Sequence, residues 1–280
     1  FVMYMVSKQY QQLRRIVKSR SKIIEQRAYA NELAHHDQLT GLPNRRALVE
    51  RLIELQKNRP ELPIAMAMVD MNGFKPVNDT YGHAAGDTLL ITVGQRLKKI
   101  FNAPFTLHTK MIELVQREAK LAASGKPGHV IVKVNGLTEP KMIRALYEAS
   151  QAGVKIELII RGMCRLRPGL PSISENITVR SVIGRFLEHT RVCYFGNNGN
   201  PEVFCASADW MERNMLHRVE TGFPLSGKLA ERVKKELDYY LADNTESWEL
   251  KADGSYNLLA PEEGEPAFSA QQQLLQDFAS

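Results

Sequence analysis

The sequence changes character near residue 101, and this change constrains the fold more than any other feature. Residues 1–101 hold 16 Lys and Arg against 9 Asp and Glu, whereas the remaining residues hold 21 against 22. The overall net charge of +6 therefore belongs to the front of the chain. A length of 280 residues is enough for two domains with separate cores. The sequence thus predicts two structural units that meet near residue 101.

The composition is that of an ordinary globular protein, with 44% hydrophobic and 24% charged residues. The basic excess does not predict a nucleic-acid partner, because no basic face with interleaved aromatic residues accompanies it. The cysteines are odd in number and form no CxxC pair: Cys164, Cys193 and Cys205. This pattern favours reduced thiols in a cytoplasm over a disulfide framework or a zinc site.

Residues 1–36 predict a juxtamembrane or signalling-type helix. The apolar run Phe1–Val6 leads into basic residues, as at the cytoplasmic exit of a membrane span. Six residues cannot cross a bilayer, and the chain does not begin with Met, so on this interpretation a span lies upstream of Phe1 and the chain sits at the inner face of the membrane. The alternative is an amphipathic helix whose apolar stripe is Leu13, Ile16, Ile23, Ile24 and Leu33.

Two motif runs dominate residues 37–100. The first is Asp37–Arg46, in which a Gly-x-Pro turn precedes Asn44, a candidate helix cap. The second begins with Pro63–Val69, an apolar run of strand length, and ends in Asp70. A carboxylate at the end of a buried strand is a common place for a metal ion and phosphates.

These runs resemble the GGDEF domain of diguanylate cyclases. The patterns D-x-L-T-G-L-x-N-R-R, D-x-N-G-F-K-x-V-N-D and Y-G-H-x-x-G-D occur in the family's order and spacing. The resemblance implies an α+β fold in which Asp70, with the Met71 carbonyl, would hold Mg²⁺. It also implies that Lys75 would approach the phosphates of GTP, while Asn78 and Asp87 would read its guanine edge.

The GGDEF signature itself is absent from this sequence. In the family it supplies a second acidic metal ligand and the turn over which the two substrates react. Such chemistry depends on positioned metal ions and electrostatic stabilisation. The resemblance therefore implies an incomplete half-domain over residues 37–101, with vestigial GTP-binding residues and no cyclase activity.

Residues 102–280 predict an α/β domain. The strand candidates His129–Val134 and Val154–Ile160 flank a helix candidate, Pro140–Ala152, and this spacing predicts parallel strands. The other predicted elements are helices over Thr109–Ala123 and Leu229–Leu241 and strands over Ile177–Ile183, Val192–Phe195 and Glu202–Ser207.

Arginines and one histidine gather after these strands. Arg161 directly follows the second strand, and His189 and Arg191 come further along. Arginine forks bind phosphate oxygens bidentately, and a histidine can pass a proton to a leaving oxygen. The pattern predicts a site for an anionic substrate with phosphates. A structural role for His189 and surface ion pairs for Arg165 and Arg185 are the alternatives.

Residues 103–280 are similar to the C-terminal domain of type 1 polyphosphate kinases. The similarity rests on several runs, including Leu146–Ser150, Ile160–Gly162, Arg185–His189 and Ser207–Met211. In that family the two C-terminal domains resemble phospholipase D halves, and one histidine from each faces the reacting phosphate. The resemblance implies a phospholipase D-like α/β fold for this part of the chain.

The same resemblance implies transfer of the terminal phosphate of ATP to polyphosphate through a phosphohistidine. His189 would be the general acid or base at the nucleotide's terminal phosphate, Arg161 would bind the nucleotide phosphates, and Arg191 would replace the lysine of an H-x-K pattern. ATP or ADP and polyphosphate would be the ligands and Mg²⁺ the cofactor, and a homo-oligomer is compatible with the family.

The family's phosphorylated histidine lies in the preceding domain, and residues 37–101 stand in its place here. We therefore expect a polyphosphate kinase-type domain that is inactive alone. The alternative is a degenerate signalling protein of the diguanylate cyclase family. A third interpretation, compatible with the first, is a join made by genome assembly or gene calling.

Overall fold

The computed structural model describes residues 20, 34–58, 60–61 and 71–279. Contacts divide the chain into two units, Phe1–Lys98 and Lys99–Ser280. The predicted strand Pro63–Val69 and the ligand candidate Asp70 lie outside the described residues, as does most of the predicted helix over 1–36. No described helix is both long enough and apolar enough to span a membrane.

The first unit contributes three described helices: α1 (Arg45–Asn58), α2 (Phe74–Tyr81) and α3 (His83–Leu97). Asn44 caps α1, because its Oδ1 accepts a hydrogen bond from the Ala47 amide at 3.1 Å. The described residues of α1 and α2 include no buried one, and α3 buries only two glycines, Gly86 and Gly94.

The second unit is built on a nine-stranded sheet. Its strands are β1 (Phe101–Ala103), β2 (His129–Val134), β3 (Lys155–Ile160), β4 (Ile177–Val182), β5 (Val192–Phe195), β6 (Glu202–Ala206), β7 (Glu220–Leu225), β8 (Ser247–Leu250) and β9 (Tyr256–Leu258). Their order across the sheet is β1-β7-β6-β5-β2-β3-β4-β8-β9. Strands β2, β3 and β4 are parallel neighbours, and every other pairing is antiparallel.

Four α-helices accompany this sheet: α4 (Leu107–Ala123), α5 (Pro140–Gln151), α6 (Lys228–Ala242) and α7 (Ala270–Ala279). Successive residues of β2 point to opposite faces. Val130 and Val132 join the core cluster that includes α4 and α5, whereas Ile131 joins the cluster that includes Leu237 of α6. Both faces of the parallel strands are therefore covered, as such strands require.

The structure confirms the α/β class and the five strands and three helices predicted for this unit, with ends shifted by one or two residues. The elements absent from the sequence prediction are β1, β7, β8, β9 and α7. Two of these strands, β1 and β9, are the edge strands of the sheet, and each has three residues. Such short edge strands carry little hydrophobic pattern.

Candidate functional site

One edge of the sheet gathers the polar residues of the candidate site. Strands β2, β3 and β4 are parallel, so their carboxyl ends share this edge. Val192, the first residue of β5, pairs with Lys133 near the end of β2 and with Cys205 near the end of β6. The segments that follow β2, β3, β4 and β6 therefore converge with the segment that enters β5.

Arg161 is fixed at this edge by its backbone. Its amide donates to the Val134 carbonyl at 3.3 Å, and its carbonyl accepts from the Ser181 hydroxyl at 3.2 Å. The guanidinium Nη1 is buried and has no hydrogen-bond partner among the described residues. A buried donor without a partner costs free energy. Arg161 therefore has an unused donor that an anionic ligand would satisfy.

Arg191 joins His189 to a buried carboxylate. Its Nε and Nη2 donate to the two Asp209 oxygens at 2.9 and 3.1 Å, a bidentate pair. Its Nη2 also lies 3.4 Å from His189 Nε2, and its Nη1 donates to the His189 carbonyl at 3.3 Å. The His189 residue is exposed. Arg191 thus orients the imidazole with a charge that Asp209 partly neutralises.

Asn135 anchors the other side of Asp209. Its backbone amide and its Nδ2 donate to Asp209 Oδ1 at 2.7 and 3.0 Å. Asp209 is 8% exposed and holds Arg191 through the same oxygen. The carboxylate therefore ties the end of β2 to the entry of β5.

A second buried pair lies beneath the site. Lys133 Nζ is 2.8 Å from Glu188 Oε2, and both side chains are under one tenth exposed. Burial lowers the pKa of Lys133, Glu188 opposes that effect, and the guanidiniums of Arg161 and Arg191 lower it further. Both guanidiniums therefore lie within electrostatic range of the Lys133 ammonium near the end of β2.

The remaining arginines of the sequence cluster are held elsewhere. Arg167 Nε donates to the Ala252 carbonyl at 2.9 Å, and Arg180 Nη1 donates to the Leu241 carbonyl at 2.5 Å. The Arg185 guanidinium lies 5.4 Å from the ring centre of its neighbour Phe186. Arg167 and Arg180 thus brace a loop and the end of α6, whereas Arg185 lies exposed beside the adjacent ring.

The polar residues that follow β6 also fall into two groups, one at the candidate site and one that braces the loop. Asp209 joins the site, whereas Ser207 Oγ and Asn214 Nδ2 donate to Glu220 at 2.5 and 2.7 Å. Glu220 is 8% exposed at the start of β7, so these two bonds fix the segment to the sheet. Asp209 is thus presented to Arg191 from a braced loop.

The residues implied for GTP binding do not assemble into a metal site in the described part of the chain. Lys75 and Asp87 are exposed, whereas Asn78 Oδ1 is buried against α3 without a hydrogen-bond partner. A Cβ at Gly86 would lie 1.9 Å from that oxygen. Across all described residues, no group of three His, Cys, Asp or Glu could hold a metal ion. Asp70, the Mg²⁺ ligand that the resemblance implies, lies outside the described residues.

Sequence reasoning missed four contributors to this edge: Lys133, Asn135, Glu188 and Gln271. Asn135 directly follows a buried strand, the same signal that marked Arg161. Lys133 is a charged residue inside an otherwise apolar strand, which indicates a buried partner. Gln271 carries no comparable signal, because its partners lie 83 to 85 residues away in the chain.

The fold and this edge define the class: an α/β domain with a cationic, histidine-bearing site at the carboxyl edge of its parallel strands. The family model "Polyphosphate kinase C-terminal domain 2" matches residues 100–271. That is more than half of the chain, and the chain belongs to this family. A second model, "Diguanylate cyclase, GGDEF domain", matches residues 34–107.

Relatives and solved structures agree with the first family. The polyphosphate kinase of Pseudomonas aeruginosa is 56% identical over 194 residues, which is 68% of this chain and 28% of the relative. That of Xylella fastidiosa strain 9a5c is 54% identical over 183 residues, 65% of this chain and 26% of the relative. The polyphosphate kinase structure from Porphyromonas gingivalis is similar at 34% identity and a TM-score of 0.62, over 65% of this chain and 28% of that one.

The chain therefore spans about a quarter of the length of the curated relatives it matches. A phospholipase D family member, Nuc from Salmonella typhimurium, is also similar, with 18% identity and a TM-score of 0.37. The similarity covers 50% of this chain and 90% of Nuc. A TM-score this low says nothing about shared chemistry. Residues 100–271 are thus a polyphosphate kinase-type domain.

Proposed function

We propose that residues 102–280 bind the terminal phosphates of ATP or ADP, or the end of a polyphosphate chain, at the edge formed by Arg161 and His189. The observation that carries this proposal is the buried, unpartnered Nη1 of Arg161, at the same edge as an exposed histidine. A phosphate oxygen is the natural partner for such a donor.

Each residue then has a distinct part. Arg161 binds and orients the phosphate through its guanidinium fork. His189 exchanges a proton with the leaving oxygen of the terminal phosphate. Arg191, already paired with Asp209, holds the imidazole in place and adds residual positive charge. Mg²⁺, the implied cofactor, would bind mainly through the phosphates of the nucleotide, which is its usual mode.

The intact chain is proposed to bind without turning over. In this family the phosphorylated histidine comes from the preceding domain, and residues 37–101 occupy that place in the sequence. Residues 37–101 supply no phosphohistidine partner for His189, and covalent transfer needs that nucleophile. Residues 37–101 are proposed to be a truncated GGDEF domain with Asp70, Lys75, Asn78 and Asp87 as vestiges of its GTP site.

The setting proposed for the chain is the cytoplasm, where ATP and polyphosphate would be available. Its three cysteines, Cys164, Cys193 and Cys205, are free. Burial raises the pKa of Cys193 to about 12, so this thiol is unreactive at neutral pH. Free thiols suit a reducing compartment. A membrane span upstream of Phe1 and a homo-oligomer remain part of the proposal.

The test compares two arginines that are four residues apart. Arg161→Ala removes the unpartnered fork, whereas Arg165→Ala removes an exposed side chain from the following loop. ATP is titrated into the intact chain, and binding is followed through the NMR resonances of the His189 ring. With half a site we expect a Kd on the order of 1 mM, or about −4 kcal/mol.

Arg161→Ala should weaken binding about tenfold, the size expected for a lost charge-assisted hydrogen bond. Arg165→Ala should weaken it less than about twofold, as expected for an exposed charge. Added salt should weaken binding in the wild type, because exposed charges are screened. Equal losses for the two variants, or a His189 ring that does not respond to ATP, would place the phosphate site elsewhere.

A further inference from the structure

The amide of Gln271 is buried and makes three hydrogen bonds to a single segment. Gln271 lies in the first turn of α7 and is 4% exposed. Its Oε1 accepts from the Phe186 amide at 2.8 Å, and its Nε2 donates to the Phe186 carbonyl and to Glu188 Oε1, both at 2.7 Å. An amide that uses its acceptor and both donors on residues 186–188 sets their path, since any shift leaves a buried polar group unpaired.

The segment also passes close to α7 just before these bonds. A Cβ at Gly184 would lie 2.7 Å from Gln271 Oε1 and 2.6 Å from Glu246 Oε2. Contacts that short are not made by side-chain carbons, so the approach depends on glycine. The close approach and the three hydrogen bonds together hold residues 184–188 against the start of α7.

Glu188 links the Gln271 hydrogen bonds to the candidate site. Its Oε1 accepts from Gln271, and its Oε2 pairs with buried Lys133 at 2.8 Å. The next residue is His189, and two residues later Arg191 is pinned by Asp209. His189 is therefore an exposed side chain on a backbone that is fixed on both sides.

We propose that Gln271 is a positioning residue for His189. Helix α7, the last helix of the domain, then belongs to the phosphate site through its first turn. The part His189 plays rests on the function proposed above, but its positioning by Gln271 can be measured without a ligand. The competing interpretation is that Gln271 only holds α7 on the sheet.

Both interpretations expect a loss of stability when Gln271 is changed, so the test measures the geometry of His189. Gln271→Leu removes all three hydrogen bonds. Gln272→Leu is the matched control, because Gln272 is the next residue on the same helix and is exposed. The chain is uniformly labelled with ¹⁵N, so that the His189 ring, the Phe186 amide and the Arg161 side chain are all observed, and spectra are recorded well below the melting temperature of each variant.

Without ligand, Gln271→Leu should shift and broaden the His189 ring resonances and speed exchange of the Phe186 amide at least about tenfold, as expected when a buried hydrogen bond is lost. Gln272→Leu should reproduce the wild-type spectrum. A wild-type His189 spectrum in folded Gln271→Leu would overturn the proposal and leave Gln271 a purely structural residue.

Gln271→Glu is a second test variant. It places a carboxylate against both Glu188 Oε1 and the Phe186 carbonyl, so it should disturb the His189 resonances as much as Gln271→Leu does. Undisturbed His189 resonances in folded Gln271→Glu would contradict the positioning role.

A titration with inorganic tripolyphosphate separates this proposal from the function it extends. Gln271→Leu should weaken binding about fivefold, the effect of roughly 1 kcal/mol, and the His189 response should fall while the Arg161 response remains. If the wild-type chain does not bind tripolyphosphate, the proposed function fails, whereas the ligand-free spectra still decide the role of Gln271. Equal responses of His189 in Gln271→Leu and the wild type would count against the positioning role.

Discussion

The two units of this chain differ in what their helices cover. In the rear unit, α4 and α5 bury large side chains such as Leu107, Leu114 and Leu146 against a nine-stranded sheet. In the described front residues, α1 and α2 bury no residue and α3 buries only glycines. Both units carry specific family motifs. Among the described residues, a packed core accompanies the family motifs only in the rear unit, and there it supports the candidate site.

The largest expected effect is on the free energy of unfolding, and two leucine truncations, one in each unit, test it. Leu146→Ala removes a fully buried side chain from α5, and Leu48→Ala removes one that is 47% exposed on α1. Leu146→Ala should cost about 3 kcal/mol, because it leaves a cavity in a packed core. Leu48→Ala should cost less than about 0.5 kcal/mol, as surface changes do.

The chain's two tryptophans make this measurement selective. Both Trp210 and Trp248 lie in the rear unit, so their fluorescence during urea unfolding reports on that unit alone. Far-UV circular dichroism follows both units together. An equal loss of stability for the two variants would show that the front helices bury more than the described residues indicate.

A smaller effect on stability depends on pH and comes from two glutamates, Glu157 and Glu50, each paired with a histidine and a second basic residue. In the rear unit, burial opposes ionisation of Glu157, but hydrogen bonds from His129 and Lys155 outweigh it and lower its pKa to about 2. In the front unit, hydrogen bonds from Arg46 and His35 lower the pKa of Glu50, which is exposed.

The sign follows from the ordinary pKa of 4.5 for glutamate. The Glu157 contribution is fully present above pH 4.5 and is lost as the pH falls towards 2, because the unfolded state then binds more protons than the folded state. Glu157→Gln should therefore remove up to ~3 kcal/mol at pH 7 and flatten the acid limb of the stability curve. Glu50→Gln should change that limb much less, because Glu50 is exposed and its ion pairs are screened by solvent. An equally flattened limb in both variants would remove the distinction between the units.

Much of the fold could be predicted from the sequence, because the patterns that mark most helices and strands lie within the elements themselves. The runs that became β2, α5 and β3 carry strand and helix periodicities over their whole length. Strand β1 pairs with the distant strand β7, β9 has only three residues, and α7 buries only Ala270 and Gln271, so no local pattern marked these elements. The boundary of the front unit at Lys98 also falls close to the change of charge near residue 101.

The site was predictable only in part, for a related reason. Arg161 and His189 were marked by their residue types and by their place after strands, and both lie at the expected edge. The groups that hold them are Asp209, Glu188 and Gln271, which contact the edge from separate parts of the chain. Hydrogen bonds between residues 18 to 85 positions apart leave no signature in a single sequence.

Product formation by the intact chain tests the central claim most directly. The purified protein is incubated with Mg²⁺ and either GTP or ATP, and products are separated by anion-exchange chromatography, with the Pseudomonas aeruginosa polyphosphate kinase as the positive control in the same buffer. The account predicts ATP binding that depends on Arg161 but neither cyclic di-GMP nor polyphosphate, because each reaction lacks a group that holds metal or carries the phosphoryl intermediate. Polyphosphate formation that disappears in His189→Ala would contradict it, since this one domain would then contain a complete active site.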